Sequence, residues 1–202
     1  MSSRIVVAVT GASGAPYARR LVQALADAGV DVHLVVSPYG RRLLADELDI
    51  REATVEAIVG RPAANVIMHG YRDLGSALAS GSFLTQGMAI CPCSSNTLGA
   101  VAAGLGDNLI SRAAHVHLKE RRRLVLLTRE MPLSHIELSN MMRLSEAGAI
   151  ICPAAPGFYL RPTSIAELVD FVTGKMLDLL GIDHDLPMRW MGEMGVADPA
   201  KQ

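Results

Sequence analysis

The sequence predicts an α/β protein with a three-layer, doubly wound, mostly parallel sheet of the Rossmann-like or flavodoxin-like kind. Three observations predict it. Continuous β-branched runs alternate with helical patterns along most of the 202-residue chain. Half of the residues are hydrophobic and only 4% aromatic, so Ala, Val, Leu and Ile must build the core, as in a sheet covered on both faces. The first apolar run ends in a Gly/Ser-rich turn that opens a helix, the strand-turn-helix unit from which such folds are assembled.

The elements follow in order. Residues 4–10 (RIVVAVT) read as a buried strand, and residues 15–28 as a helix with Tyr17, Leu21 and Leu25 on one face and a stop at Gly29. A second strand is expected over 30–37, a helix over 41–48 and a short strand over 65–71. Residues 73–87 are Gly/Ser-rich and long for a plain connection, which makes them a candidate binding loop. A strand over 88–93, helices over 95–104 and 108–120, and a strand over 123–128 come next. Residues 134–147 form a helix with Ser134 and Glu137 spaced as a capping box. A strand over 148–152, a Pro-rich loop and a long amphipathic helix over 164–180 complete the α/β domain, taken as 1–181. Residues 182–202 carry little periodicity and are read as a tail.

A net charge of −1 gives no reason to expect nucleic acid or an anionic membrane as partner. No stretch approaches the roughly 18 apolar residues of a membrane span. The mean hydropathy of +0.28 points to apolar surface buried between copies in a homo-oligomer. Three cysteines in apolar surroundings imply no disulfide framework, and a cytoplasmic protein is expected.

In doubly wound sheets ligands sit at the carboxyl ends of the strands. The segments taken to lie there are TGASGA, SPYG, the ASGS loop, CSSNT, REMP and PAAPGFY. TGASGA lacks the Gly-x-Gly-x-x-Gly dinucleotide spacing, and the second strand ends in Ser37 rather than an acid for a ribose, so a mononucleotide is the better reading. In CPCSSNT, Cys91 and Cys93 are expected on opposite faces of their strand with no second pair, so zinc is not expected, while Ser94, Ser95, Asn96 and Thr97 offer polar groups at a helix start. Arg112 and Lys119 fall near one helix face and could join Arg129 in a cationic cluster. Glu130 beside Arg129 could move a proton next to an anion clamp. On spacing alone Glu47 reads as an exposed helix residue, Lys175 as a solvated one, and Trp190 as a staple for the tail.

Taken together, TGASGA, Ser37, ASGSF, CPCSSNTL, DNLISRAA, LKERRRLVLLTREMP, NMMRLSEAGAIICPAAPGFY and LPMRW resemble the UbiX-type flavin prenyltransferases, in order from about Arg4 to Trp190. The resemblance implies transfer of a dimethylallyl group from dimethylallyl monophosphate to N5 and C6 of reduced FMN without a metal. The product would be the cofactor of a UbiD-type decarboxylase. It implies flavin contacts from Gly11, Ala12, Ser13, Ser37, Ser94 to Thr97 and Arg129. It implies a prenyl-phosphate site made by Ser80, Gly81, Arg112, Lys119, Tyr159 and Lys175, where many members carry Arg at the last position. Glu130 would be the acid/base residue, Glu47 and Ser13 further functional groups, and Trp190 an aromatic lid. The same resemblance implies a dodecamer. Ser95 and Asn96 depart from the Met-Lys or Thr-Gly often found there. The alternative is a flavin-dependent cysteine decarboxylase, which shares the signature over Ser94 to Leu109, although its Pro-x-Met-Asn motif is not found here.

Overall fold

The computed structural model describes residues 3–186. Six strands form one sheet: β1 (Arg4–Val9), β2 (Asp31–Val36), β3 (Val66–His69), β4 (Gly87–Cys93), β5 (Arg123–Thr128) and β6 (Ile150–Pro153). Every pairing is parallel and the order is β3-β2-β1-β4-β5-β6. That order is the Rossmann arrangement and not the flavodoxin one, a choice the strand pattern left open.

Among the described residues seven α-helices cover the two faces: α1 (Ala15–Asp27), α2 (Pro38–Leu48), α3 (Val55–Val59), α4 (Ser95–Ala102), α5 (Leu109–Lys119), α6 (His135–Glu146) and α7 (Ile165–Leu180). The pleat divides the core. Ile5, Val7 and Val9 pack with Leu21 and Leu25 of α1 and Met176 and Leu177 of α7. Val6 and Ala8 pack with Leu98 of α4, Ile110 and Ala113 of α5 and Leu144 of α6. All of β1 beyond Arg4 is buried, so each Val or Ile there contributes roughly 1.5–3 kcal/mol of apolar burial.

Local signals set the element ends. Ser134 and Glu137 form the capping box of α6, and Gly181, at φ 74, ends α7. The helix α3 was not read from the sequence. Its five residues are too few for a period, and its caps, Thr54 and Gly60, are its only signal. Past Gly181 the chain folds back: Ile182 is buried, and His184 Nε2 donates to the Gly174 carbonyl at 3.0 Å. Trp190 lies outside the described residues.

Cys91 and Cys93 do point into different layers. Residues two apart in a regular strand share a face, so alternation is not the cause. The ladder with β5 shifts register between Ile90 and Cys93, and that break turns Cys93 to the other side.

Candidate functional site

The strand order reverses between β1 and β4, so the chain leaves these neighbours toward opposite faces and a crevice opens at their carboxyl ends. One buried hydroxyl ties the two exits together. Thr10 Oγ1 donates to the Pro92 carbonyl at 2.7 Å and accepts from the Ser94 amide at 2.8 Å. Sequence reasoning passed over Thr10 as the end of an apolar run. Thr10→Val strands the Ser94 amide and is expected to cost about 1–3 kcal/mol, whereas Thr10→Ser keeps both bonds; urea unfolding of the two variants measures the difference.

On the β1 side, Gly11 and Ser13 are exposed and Ala12 is buried. The amides of these three residues make no hydrogen bond among the described residues. The Ser13 carbonyl accepts from Arg129 Nε at 3.2 Å, which draws the end of β5 across to the β1 loop. Gly14 follows at φ 133, a conformation that L side chains rarely adopt, and starts α1.

The N-terminus of α1 is already occupied. Glu47, in the last turn of α2, accepts from the Ala15 amide at 2.8 Å and from the Gly14 amide at 3.0 and 3.3 Å. The exposed-residue reading of Glu47 is therefore corrected: it is half-buried and caps another helix. The first amides of this helix start are thereby spent on a carboxylate.

On the β4 side, Ser94 caps α4, accepting from the Thr97 amide at 3.3 Å and donating to Thr97 Oγ1 at 3.0 Å. Ser37 caps α2 in the same way, accepting from the Gly40 amide at 3.0 Å. Asn96 is exposed. Ser95 Oγ donates to Glu130 Oε2 at 3.1 Å, and the Met131 amide donates to Glu130 Oε1 at 3.3 Å. The carboxylate is thus held at the crevice edge by a hydroxyl and an amide.

Ser80, Gly81, Arg112 and Lys119 assemble elsewhere. With Ala79, Ser82 and Glu120 they line a separate cleft of about 570 Å³. Arg112 Nε donates to the Ala79 carbonyl at 3.0 Å, and Ser80 Oγ accepts from the Ser82 amide at 3.3 Å. Lys119 pairs with Glu120, whose carboxyl that bond holds below its usual range. Gly81 lies under the pair: a Cβ there would sit 2.8 Å from Lys119 Nζ and closer still to the Glu120 carboxylate. The KERRR run is no simple solvated face, since Arg122 donates to the Gly81 and Phe83 carbonyls and Arg123 to that of Leu180.

This cleft corrects the placement of the ASGS loop. Gly81 and Lys119 lie just before β4 and β5 start, at the amino edge of the sheet. The seven residues of β4 separate that edge from Ser94, roughly 20 Å at 3.3 Å per residue.

Tyr159 lies in the loop after β6, its ring edge-on to Phe171 at 5.8 Å between centroids. Lys175 is exposed on α7, and its charge reaches Cys152, where it opposes the upward pull of burial on that thiol. The sequence-named residues thus fall into a crevice group (Gly11 to Ser13, Glu47, Ser94 to Thr97, Arg129 and Glu130), an amino-edge group, and Tyr159 and Lys175 beside β6.

Residues 1–182 match the Flavoprotein family. The chain is 45% identical over 203 residues to the flavin prenyltransferase UbiX of Pseudomonas aeruginosa, with 96% of this chain and 97% of that protein covered. A crystal structure of AnUbiX (PadA1) in complex with FMN and dimethylallyl pyrophosphate superposes with a TM-score of 0.89 at 42% identity, covering 96% of this chain and all 100% of the other. A dodecameric FMN-dependent UbiX-like decarboxylase from Escherichia coli O157:H7 superposes with a TM-score of 0.84 at 39% identity over 94% of this chain and 100% of its own. These relatives do not favour the cysteine decarboxylase alternative. The identity of about 40–45% extends over nearly the full length of this chain and of these relatives, and the protein belongs to the UbiX-type flavin prenyltransferase family.

Proposed function

We propose that the protein transfers a dimethylallyl group from a dimethylallyl phosphate to N5 and C6 of FMN and passes the product to a UbiD-type decarboxylase. The observation that carries this reading is the crevice itself. The amides of Gly11 to Ser13, without a hydrogen bond among the described residues, lie on the β1 side, Glu130 is held by Ser95 on the β4 side, and Arg129 bonds to the Ser13 carbonyl. These residues fit a flavin mononucleotide, with amides and hydroxyls for its polar edges and a cation for an anion. Reduced FMN supplies the nucleophilic N5 and C6 when bound.

The chain's own residues do the rest. Arg129, Lys175, Arg112 and Lys119 hold the leaving phosphate as fixed charges, work that a divalent ion does elsewhere. Tyr159 donates to the same phosphate. The proton released at N5 when the first bond forms passes through the freed phosphate to the prenyl double bond as C6 bonds to it, and Glu130 takes the proton that C6 then loses. Trp190, outside the described residues, screens the prenyl group from water.

A phosphate and a flavin that react must meet within bonding distance, yet the amino-edge cleft lies roughly 20 Å from the crevice. Ser80, Gly81, Arg112 and Lys119 therefore serve the crevice of another copy. A homo-oligomer, dodecameric like the solved relative, is supported by apolar side chains left open beside Glu130: Met131 is 87% exposed, Ile136 72% and Met142 62%. Three buried free cysteines support a cytoplasmic location, and among the described residues no helix is long and apolar enough to cross a membrane.

Anaerobic incubation with reduced FMN and either dimethylallyl monophosphate or diphosphate, without added metal, is expected to yield a flavin heavier by one prenyl unit. Absence of that mass with both donors overturns the reading. Co-assembly of Lys119→Ala chains with Glu130→Gln chains, each inactive alone, is expected to restore part of the activity. No recovery in mixed oligomers would place Lys119 outside the shared site.

A further inference from the structure

In a sheet of this strand order a dinucleotide lays its pyrophosphate on the N-terminus of the first helix. Here the two amides that would receive it, Gly14 and Ala15, are held by the Glu47 carboxylate at 3.0 and 2.8 Å. We propose that Glu47 is a specificity-determining residue: an internal anion that shuts out pyrophosphate-bearing dinucleotides and confines the crevice to a mononucleotide. The inference rests on the flavin reading above and adds to it how the crevice tells FMN from FAD.

Three features support it. The contact is tertiary, joining residues 32 and 33 positions apart, and it comes from the last turn of a different helix. Gly14 at the N-cap brings no side-chain acceptor of its own, so the helix takes its cap from Glu47. A fixed negative charge at that point repels a second anion, and the Gly14 and Ala15 amides are already spent. The exclusion is local, because the amides of Gly11, Ala12 and Ser13 one step earlier make no hydrogen bond among the described residues. Ser37, in place of an acid at the end of β2, also withholds the ribose acceptor of a dinucleotide site.

A cap that served stability alone would leave ligand choice unchanged when removed, so the test reads a gain of binding. Wild type, Glu47→Gln and Glu47→Ala are titrated calorimetrically with inorganic pyrophosphate, FAD and FMN, and their folding is followed by circular dichroism. Wild type is expected to bind FMN at least tenfold more tightly than FAD. Glu47→Ala is expected to gain at least tenfold in affinity for pyrophosphate and FAD. Glu47→Gln, which keeps one acceptor without the charge, is expected to gain less in the same direction, and it decides the matter if the alanine variant does not fold. Folded variants with no gain for either ligand overturn the proposal, as does wild type binding FAD as tightly as FMN. The pyrophosphate titration needs no flavin. A wild type that fails to bind FMN would count against the function proposed above, while the pyrophosphate gain still decides the role of Glu47.

Discussion

Glu130→Gln is expected to lower turnover roughly 10²–10⁴-fold, the usual contribution of a positioned acid/base group. The substitution keeps size and shape, and Ser95 Oγ, which donates to Glu130 at 3.1 Å, can donate to the new amide oxygen as well. KM for both substrates should therefore move little, and the loss should appear in kcat alone. Anaerobic single-turnover quenching, with the adduct followed by mass, measures it. Turnover within threefold of the parent would hand the proton-accepting role to the released phosphate and leave Glu130 a positioning residue.

The second large effect is on stability in acid. His117 is buried near the C-terminus of α5. Its Nδ1 donates to the Ala113 carbonyl at 2.7 Å, so in the neutral ring Nε2 accepts from the Thr85 hydroxyl at 2.8 Å. Burial, with the nearby Arg122 charge acting the same way, pushes the imidazole down from the ordinary 6.5 to about 4. Between those values the unfolded chain binds a proton at this position and the folded chain does not. Stability is therefore complete above pH 6.5, falls as the pH drops toward 4, and loses about 3 kcal/mol from this residue alone by the lower limit. The buried His33 and the half-buried His69, in contact at 2.9 Å and both shifted downward mainly by burial, push in the same direction. Urea unfolding at pH 7, 5.5 and 4 should show the decline, and His117→Gln should flatten it by a corresponding amount. A wild-type profile flat from pH 7 to 4 would contradict the burial of a neutral histidine.

Most of the architecture was legible because it rests on local rules. Five of the six strands announce themselves as apolar runs, and β3 as a short one. Capping pairs such as Ser134 with Glu137 act within four residues, and glycine stops such as Gly181 within one. Glu130 and Arg129 stand out as candidates because a strand end followed by a base and an acid is visible in the chain itself. The misreadings concern contacts between distant segments. The ASGS loop was assigned to the carboxyl edge because it follows β3, but ten residues of chain carried it back to the other edge, where Arg122 grips the Gly81 and Phe83 carbonyls.

By itself, then, the sequence determined the alternation of strands and helices, which faces are apolar, where most of the longer helices begin, and which polar residues stand at several strand ends. Those properties depend on neighbours within one or two turns, and they act before the chain closes. Only the tertiary structure decided that the strand order is 3-2-1-4-5-6, that Thr10 binds the two sides of the crevice, that Glu47 fills the start of α1, and that Ser80 and Gly81 join Lys119 at the amino edge of the sheet. Each of these is a hydrogen bond or a placement between segments tens of residues apart, set by how two faces of one sheet are covered, and no periodicity in the chain encodes it.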